Sequence, residues 1–381
     1  MRRDTHEAHR VWMQRALQLA RRGEGLTRPN PPVGALLVKN GRAVGEGYHR
    51  RAGGPHAEVV ALRRAGTAAR GATLYVTLEP CSTWGRTPPC VDAILASGVR
   101  HVVVATKDPN PRHAGRGLRV LRRKGIRVTT GVCEEEAREL IAPFARWVVS
   151  GFPRVTLKLG PSLDGRIADR TGASRWVTGP RSRALVQALR RKVDVVMVGA
   201  GTVAADNPSL MPRPMKGRLP LRVIVDSARA VAPLGARVFT DEFAARTLLA
   251  VPREYPAAHR RRLVSQGVEI LLLPSRRGHI RMSSLLRELG RRGVLHVLCE
   301  GGGVLAASLI EEQGVDEYLF LFAPRIIGGR ASPSCVSGDG WLLEESPALE
   351  IFAFDRVGED IMIRAKPGSH SHVHRPRTRR F

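Results

Sequence analysis

LEPCSTWGRTPPC, residues 78–90, closes an apolar run and then separates two cysteines by eight residues that include a glycine, an arginine and a Pro-Pro pair. The chain has five cysteines in 381 residues, an odd number that does not make a disulfide framework. Cys133, Cys299 and Cys335 are scattered and read as small hydrophobes, which leaves Cys81 and Cys90 as the one close pair. Upstream, GGPHAEVVAL (53–62) puts His56 and Glu58 at a turn-to-helix junction, with Pro55 suited to a helix start. One imidazole and two thiolates are three ligands for a tetrahedral Zn²⁺, and three protein ligands leave the fourth position to water, the pattern of a catalytic rather than a structural zinc. Helix N-termini beside the sulfurs help keep them ionised. Glu58 is then the proton shuttle. The bland alternative, in which His56 caps a helix and the cysteines fill a core, suits a lone H-x-E better than H-A-E joined to P-C…P-C.

The whole chain bounds this reading. At 381 residues it exceeds what one hydrophobic core usually supports, so two domains are expected. A hydrophobic content of 43% with regular Gly and Pro punctuation indicates a folded, soluble protein. No apolar run approaches the ~20 residues of a membrane helix. The basic start MRRDTHEAHRVWMQRALQLARRG lacks the apolar region and cleavage site of a secretory signal, so the cytoplasm is the expected compartment. The net charge is +28, and of the 62 basic residues only seven are lysine. That bias raises nucleic-acid binding as a possibility. The arginines are dispersed and only four tyrosines are present to stack on bases, so solvated helix faces and an anionic small substrate fit better.

Along the chain, strands and helices alternate. The pattern predicts a helix near 7–22, strands VGALLVK (33–39) and RAVGEGYH (42–49) joined by an Asn-Gly turn, and a helix over 56–65. A strand over 72–78, a helix near 89–97, a strand over 101–106, a helix near 116–124 and a strand over 126–130 complete an α/β layered set. EEEARELIAPFARWVVSGFP (134–153) reads as one helix ending at Gly151 and Pro153, the passage between domains. A second α/β set follows, with strands over 154–160, 193–199, 221–226, 247–252, 268–274 and 294–300. Its helices fall near 180–191, 281–291 and 303–312, and a strand at 315–324 finishes it. Residues 368–381 are polar and basic, with three alternating histidines, and read as a disordered tail.

H-A-E with P-C…P-C is the signature of the zinc nucleobase deaminases. In most of them the second part is P-C-x-x-C. The longer loop PCSTWGRTPPC, with NPPVG (30–34), HAEVVAL and DPNPRHAGRG (108–117), resembles the deaminase domain of the bifunctional riboflavin-biosynthesis deaminase/reductase family. The resemblance implies a diaminopyrimidinone substrate carrying a ribosyl 5-phosphate, with Asn30 and Arg86 as contacts to it. The family usually has histidine directly after the Ser of P-C-S, where this chain has Thr83-Trp84.

In the second half, VDVVMVGAGTVAADNP invites a dinucleotide-binding reading, because G-A-G follows a strand and Asp226 ends another. That fold needs a long helix after the glycines, and Pro208, Pro212 and Pro214 forbid one. VLHVLCEGGGVLAASLIEEQ (294–313) does run strand, glycine triplet, helix, a good anion cradle, with Glu300 at the strand's edge. KLGPSLDGRIAD (158–169), SRWVTG (174–179), VGAGTVAADNPSL (198–210), LRVIVDS (221–227), CEGGG (299–303) and FAPRIIGG (322–329) resemble the reductase half of the same family. By that resemblance Gly160, Trp176, Thr202, Asp206, Ser227, Gly302 and Gly303 hold NADPH. Ser174, Arg190, Leu210, Arg213 and Glu300 hold the sugar phosphate. Arg190 and Arg213 also have the chemistry for a phosphate dianion.

The expectation is therefore an α/β protein of two domains: a cytidine-deaminase-like three-layer domain over 1–146 and a dihydrofolate-reductase-like domain over 147–367. The first binds one Zn²⁺ and removes ammonia from the pyrimidine. The second uses NADPH to reduce the ribosyl group to ribityl. A homo-oligomer assembled through the reductase domain is also expected, with no nucleic-acid or membrane partner. Two rivals stand beside this reading: a chain with one working half, and a nucleic-acid-editing deaminase suggested by the charge, which predicts a short P-C-x-x-C loop.

Overall fold

The computed structural model describes residues 2–215 and 217–368, with side chains from Glu7 onward. The tail histidines lie outside the described residues. The chain divides into two compact units between Phe152 and Pro153.

The first unit runs α1 (Arg2–Arg21), β1 (Gly34–Lys39), β2 (Arg42–Tyr48), α2 (Ala57–Ala65), β3 (Thr73–Leu78), α3 (Cys90–Ala96), β4 (His101–Thr106), α4 (Arg116–Arg123), β5 (Arg127–Thr130), α5 (Glu134–Leu140) and α6 (Ala142–Ser150). Its sheet has the order β2-β1-β3-β4-β5, with β3, β4 and β5 parallel and β1 antiparallel to both neighbours. Strand side chains alternate between faces, so each strand feeds two cores. Ala35, Leu37, Leu74, Val76, Val102 and Val104 meet α2, α3 and α4 through Ala61, Ile94 and Leu121. Leu36, Val38, Tyr75, Val103 and Ala105 meet α1 and α5 through Met13, Leu17 and Ala137. Both faces are covered, which is why these strands read as unbroken apolar runs. Helix α2 lies so close to β2 that a Cβ on Gly47 would stand 2.4 Å from the Ala57 carbonyl oxygen. This tight seat holds the start of α2, where His56 and Glu58 lie.

The single helix expected over 134–153 is two. It breaks at Ile141, and Pro143 occupies the first turn of α6. Proline has no N–H for the i→i−4 ladder and crowds the preceding turn, so the two segments cannot be continuous. The boundary read from sequence, at 146/147, falls inside α6.

The second unit contains β6 (Arg154–Leu159), α7 (Pro180–Arg190), β7 (Val195–Gly199), α8 (Ala200–Asp206), β8 (Leu221–Val225), α9 (Arg237–Thr240), β9 (Thr247–Pro252), α10 (Ala257–Ser265), β10 (Glu269–Leu273), a small hairpin β11 (Ser275–Arg276) and β12 (His279–Ile280), α11 (Met282–Arg291), β13 (His296–Cys299), α12 (Gly303–Glu311), β14 (Glu317–Phe322), β15 (Leu349–Val357) and β16 (Asp360–Pro367). The nine-stranded sheet has the order β10-β9-β8-β7-β13-β6-β14-β16-β15. It is parallel from β10 to β14, and the last two strands are antiparallel. The hairpin β15–β16 was not anticipated; the sequence reading ends the sheet at residue 324. Helix α8 stops at Asp206, where Asn207 turns left-handed (φ 43°) ahead of Pro208, so the long helix of a dinucleotide fold is absent as expected.

Candidate active sites

His56 sits at the N-cap of α2 in extended conformation (φ −71°, ψ 162°), yet its side chain caps nothing. The ring instead points Nδ1 at two sulfurs, 3.1 Å from Cys90 Sγ and 3.5 Å from Cys81 Sγ. The three donor atoms lie within 4.8 Å of one another. Cys90 opens α3, and its N–H points at Cys81 Sγ (3.3 Å), while Val91 N–H reaches the Cys81 carbonyl (3.2 Å). Both sulfurs thus gather at a helix start, and the eight residues between them loop outward, carrying Trp84 76% exposed. The donor set fits zinc. Cys81 is drawn down to about 4 by the Cys90 thiol and then by His56, while the same contact, with burial, pushes Cys90 up. A divalent cation held here would have two soft thiolates and an imidazole as ligands.

Glu58, on the first turn of α2, is 4% exposed. Burial, and then the charge of Cys81, push its carboxyl up to about 7. A carboxyl poised there can both take and return a proton near neutral pH.

A second imidazole completes this corner and is not singled out by the sequence reading. His49 is buried, its ring edge-on to His56 with centroids 5.2 Å apart. Its Nδ1 faces the Pro55 carbonyl (3.2 Å) and its Nε2 faces Asn30 Nδ2 (3.1 Å). A donor on one side and an acceptor on the other is the neutral tautomer, and burial pushes His49 down in the same sense. His49 thereby ties Asn30 to the turn that presents His56. Thr87 Oγ1 lies 3.4 Å from His56 Nε2, and Thr83 Oγ1 lies 3.4 Å from His113 Nδ1. Arg86 is exposed on the loop.

In the second unit the candidate residues follow the carboxyl ends of parallel strands, where α/β sheets bind ligands. Gly160 follows β6, Thr202 and Asp206 lie on α8 after β7, Ser227 follows β8, and Glu300, Gly302 and Gly303 follow β13. Three pairs are brought together. Gly302 N–H donates to Thr202 Oγ1 (3.1 Å), and Ser174 Oγ donates to Asp206 Oδ1 (2.6 Å). Arg190 grips Glu300 with two bonds, Nε to Oε1 at 2.6 Å and Nη2 to Oε2 at 2.9 Å. Trp176 is exposed with the Arg183 guanidinium 4.6 Å above its ring. Leu210 is buried at φ 60°. Arg213 is exposed, its backbone N–H bonded to Gln187 Oε1 (2.7 Å). Gly302 at the N-cap of α12, with no side chain capping that helix, leaves backbone donors for an anionic group such as a pyrophosphate.

Lys158 is a further residue the sequence reading quoted but did not assign. Burial lowers its ammonium pKa against the raising influence of Glu300 and Asp360. Arg190 and Lys158 together outweigh the burial of Glu300 and keep it ionised, below the usual carboxylate range.

Comparison with known proteins settles which chemistry this architecture serves. Residues 6–106 match the cytidine and deoxycytidylate deaminase zinc-binding region, and residues 153–363 match the RibD C-terminal domain. The riboflavin biosynthesis protein RibD of Aquifex aeolicus is 42% identical over 361 residues, 94% of this chain and 98% of that protein. The chain belongs to the RibD family. The RibD of Escherichia coli (strain K12) is 41% identical over 367 residues, covering 92% of this chain and 97% of its own. A solved structure from Thermotoga maritima is described as a diaminohydroxyphosphoribosylaminopyrimidine deaminase/5-amino-6-(5-phosphoribosylamino)uracil reductase. It superposes with a TM-score of 0.84 at 36% identity, over 96% of this chain and 100% of that one. The protein is accordingly a bifunctional enzyme of riboflavin biosynthesis. Its deaminase domain uses zinc and its reductase domain NADPH. The folds are the cytidine-deaminase-like and dihydrofolate-reductase-like ones expected. No helix among the described residues is long and apolar enough to cross a membrane.

Proposed function

We propose that the first unit deaminates 2,5-diamino-6-(5-phosphoribosylamino)pyrimidin-4(3H)-one and that the second reduces the resulting 5-amino-6-(5-phosphoribosylamino)uracil. The observation that carries this is the convergence of His56 Nδ1, Cys81 Sγ and Cys90 Sγ within 4.8 Å beside the buried Glu58. Full-length similarity to proteins of that description supports the substrates.

His56, Cys81 and Cys90 are the ligands that would hold zinc. When bound, zinc lowers the pKa of water and makes it a nucleophile near neutral pH. Glu58 accepts the proton of the attacking water, passes it to the ring nitrogen, then moves the hydroxyl proton to the departing amine. One water enters, ammonia leaves, and a carbonyl replaces the C–NH₂. Asn30, held by His49, orients the pyrimidine edge, and the exposed Arg86 suits the phosphate.

In the second unit Gly160, Trp176, Thr202, Asp206, Ser227, Gly302 and Gly303 form the cofactor side of the reading, and NADPH supplies the hydride when bound. Ser174, Leu210, Arg213 and Glu300 form the sugar-phosphate side. Arg190 bonds Glu300 and so holds that carboxylate ionised and aimed, leaving Arg213 freer for phosphate. Lys158, beside Glu300, is the group able to donate the proton that completes the reduction.

The same reading includes a homo-oligomer joined through the reductase unit. Its support is the edge strand β15, whose Ile351, Phe352 and Phe354 are exposed on a sheet edge that soluble chains normally cover. It also includes a reducing compartment, the cytoplasm, where Cys81 and Cys90 stay available as thiolates. The test is metal analysis of the purified chain together with turnover of the diaminopyrimidinone phosphate with and without NADPH. About one zinc per chain, ammonia release without NADPH and ribityl product only with it are expected. Absence of either turnover removes the corresponding half.

A further inference from the structure

Glu79 stands two residues before Cys81 and is 5% exposed. Its backbone N–H continues the sheet, donating to the Thr106 carbonyl at 2.9 Å. Its carboxylate is directed elsewhere. Oε2 accepts from the backbone N–H of Asp108 (3.2 Å) and of Gly115 (2.8 Å). Oε1 accepts from Gly117 N–H (2.9 Å) and Leu118 N–H (3.4 Å). Three of these donors are at the start of α4, whose N-cap is Gly115, with no capping side chain and no acid in its own first turn. A helix start leaves N–H groups without partners and favours negative charge, and the neighbouring strand supplies both the acceptors and the charge. Gly117 permits the approach, since a Cβ there would stand 2.1 Å from the Pro80 carbonyl oxygen.

One carboxylate therefore ties down both ends of the loop leaving β4, from the strand that delivers a zinc ligand. The loop meets the zinc segment again where His113 Nδ1 lies 3.4 Å from Thr83 Oγ1. At its near end the Asp108 carboxyl is close enough to feel the charge on Cys81. The loops after β3 and β4 leave adjacent parallel strands at the same carboxyl edge, where a ligand of this unit would lie.

We propose that Glu79 is a positioning residue of the deaminase: it holds residues 107–118 against the zinc loop as the second wall of the pyrimidine pocket. It sets the affinity for the pyrimidine without touching the reacting atoms. The inference rests on the deaminase reading above. Glu79→Gln keeps the size of the side chain but replaces one acceptor oxygen with a donor group facing backbone N–H groups. The purified variant is compared with the wild-type chain in deamination kinetics, zinc content and trypsin cleavage after Arg112 and Arg116. Expected are a KM about tenfold or more higher, kcat within about threefold, about one zinc per chain, and faster cleavage at those two sites. An unchanged KM overturns the proposal, as does a fall in kcat with loss of zinc and no change in KM, which marks Glu79 as support for Cys81 alone. If the variant does not fold, Thr83→Val removes the loop's contact at His113 and should raise KM about threefold, with no change counting against the proposal. Absence of deamination in the wild-type chain would instead remove the deaminase reading itself.

Discussion

Arg190 and Glu300, 110 residues apart in sequence, form a two-bonded ion pair at 2.6 and 2.9 Å at the carboxyl edge of the reductase sheet. Read singly, each suits a sugar-phosphate ligand; together they satisfy one another. Glu300→Gln leaves two enclosed cations, Arg190 and Lys158, without their shared counter-charge. Breaking such a pair costs about 3–5 kcal/mol, so a lower urea midpoint of the reductase unit is expected. Reductase kcat/KM should fall about 100-fold while deamination is unchanged. A variant with wild-type reduction would remove Glu300 from the site.

The zinc assignment predicts a separable loss. Cys90→Ser and His56→Ala should each reduce bound zinc from about one per chain to a small fraction, abolish ammonia release and leave NADPH-dependent reduction intact. Metal analysis alongside both assays checks this, and full zinc occupancy in either variant would contradict it.

Glu58→Gln keeps the three zinc ligands but cannot shuttle a proton. Zinc content should be unchanged while kcat for deamination drops by about 10²–10⁴. Near-normal turnover in this variant would assign the shuttle to another group.

His296 faces Thr156 Oγ1 at 2.9 Å, and burial, followed by the Arg154 guanidinium, pushes it down to about 4 from an ordinary 6.5. The unfolded chain takes up a proton on this residue at a pH where the folded chain does not. The stability it confers is thus fully present above about pH 6.5 and is lost as pH falls towards 4, by at most about 3 kcal/mol. Urea midpoints of the reductase unit at several pH values should fall across this window, and less steeply in His296→Asn. Equal slopes would place the acid sensitivity elsewhere.

The exposed edge of β15 predicts an assembly contact. Phe354→Asp together with Ile351→Asp should reduce the mass seen by light scattering to that of a single chain, with each unit still folded. An unchanged mass would move the contact off this strand.

Much of the deaminase site was legible because His56, Glu58, Cys81 and Cys90 lie at two turn-to-helix junctions that local spacing reveals. His49 was not, since its role depends on the chain returning past Asn30 and Pro55, which only tertiary structure brings about. Thr83 lacked a partner in sequence because His113 lies 30 residues away. In the reductase half, strands such as VVMV and VTLKL announced themselves as buried parallel runs. The Arg190–Glu300 pairing did not, because it joins a helix end to the edge of a distant strand. The β15–β16 hairpin was overlooked for a different reason: β15 is exposed along most of its length, so it lacks the alternation that marks a half-buried strand. The split of the 134–153 helix is marked in the sequence only by Pro143, which lies in the first turn of α6.

The division between Phe152 and Pro153 separates the candidate residues cleanly, the zinc donors on one side and every proposed NADPH contact on the other. Joining two catalytic units in one chain fixes their supply at one to one, whatever the rate of translation. A cell using this protein cannot raise one activity without the other by making more of it. Divergence in their relative rates must instead come from substitutions within a unit.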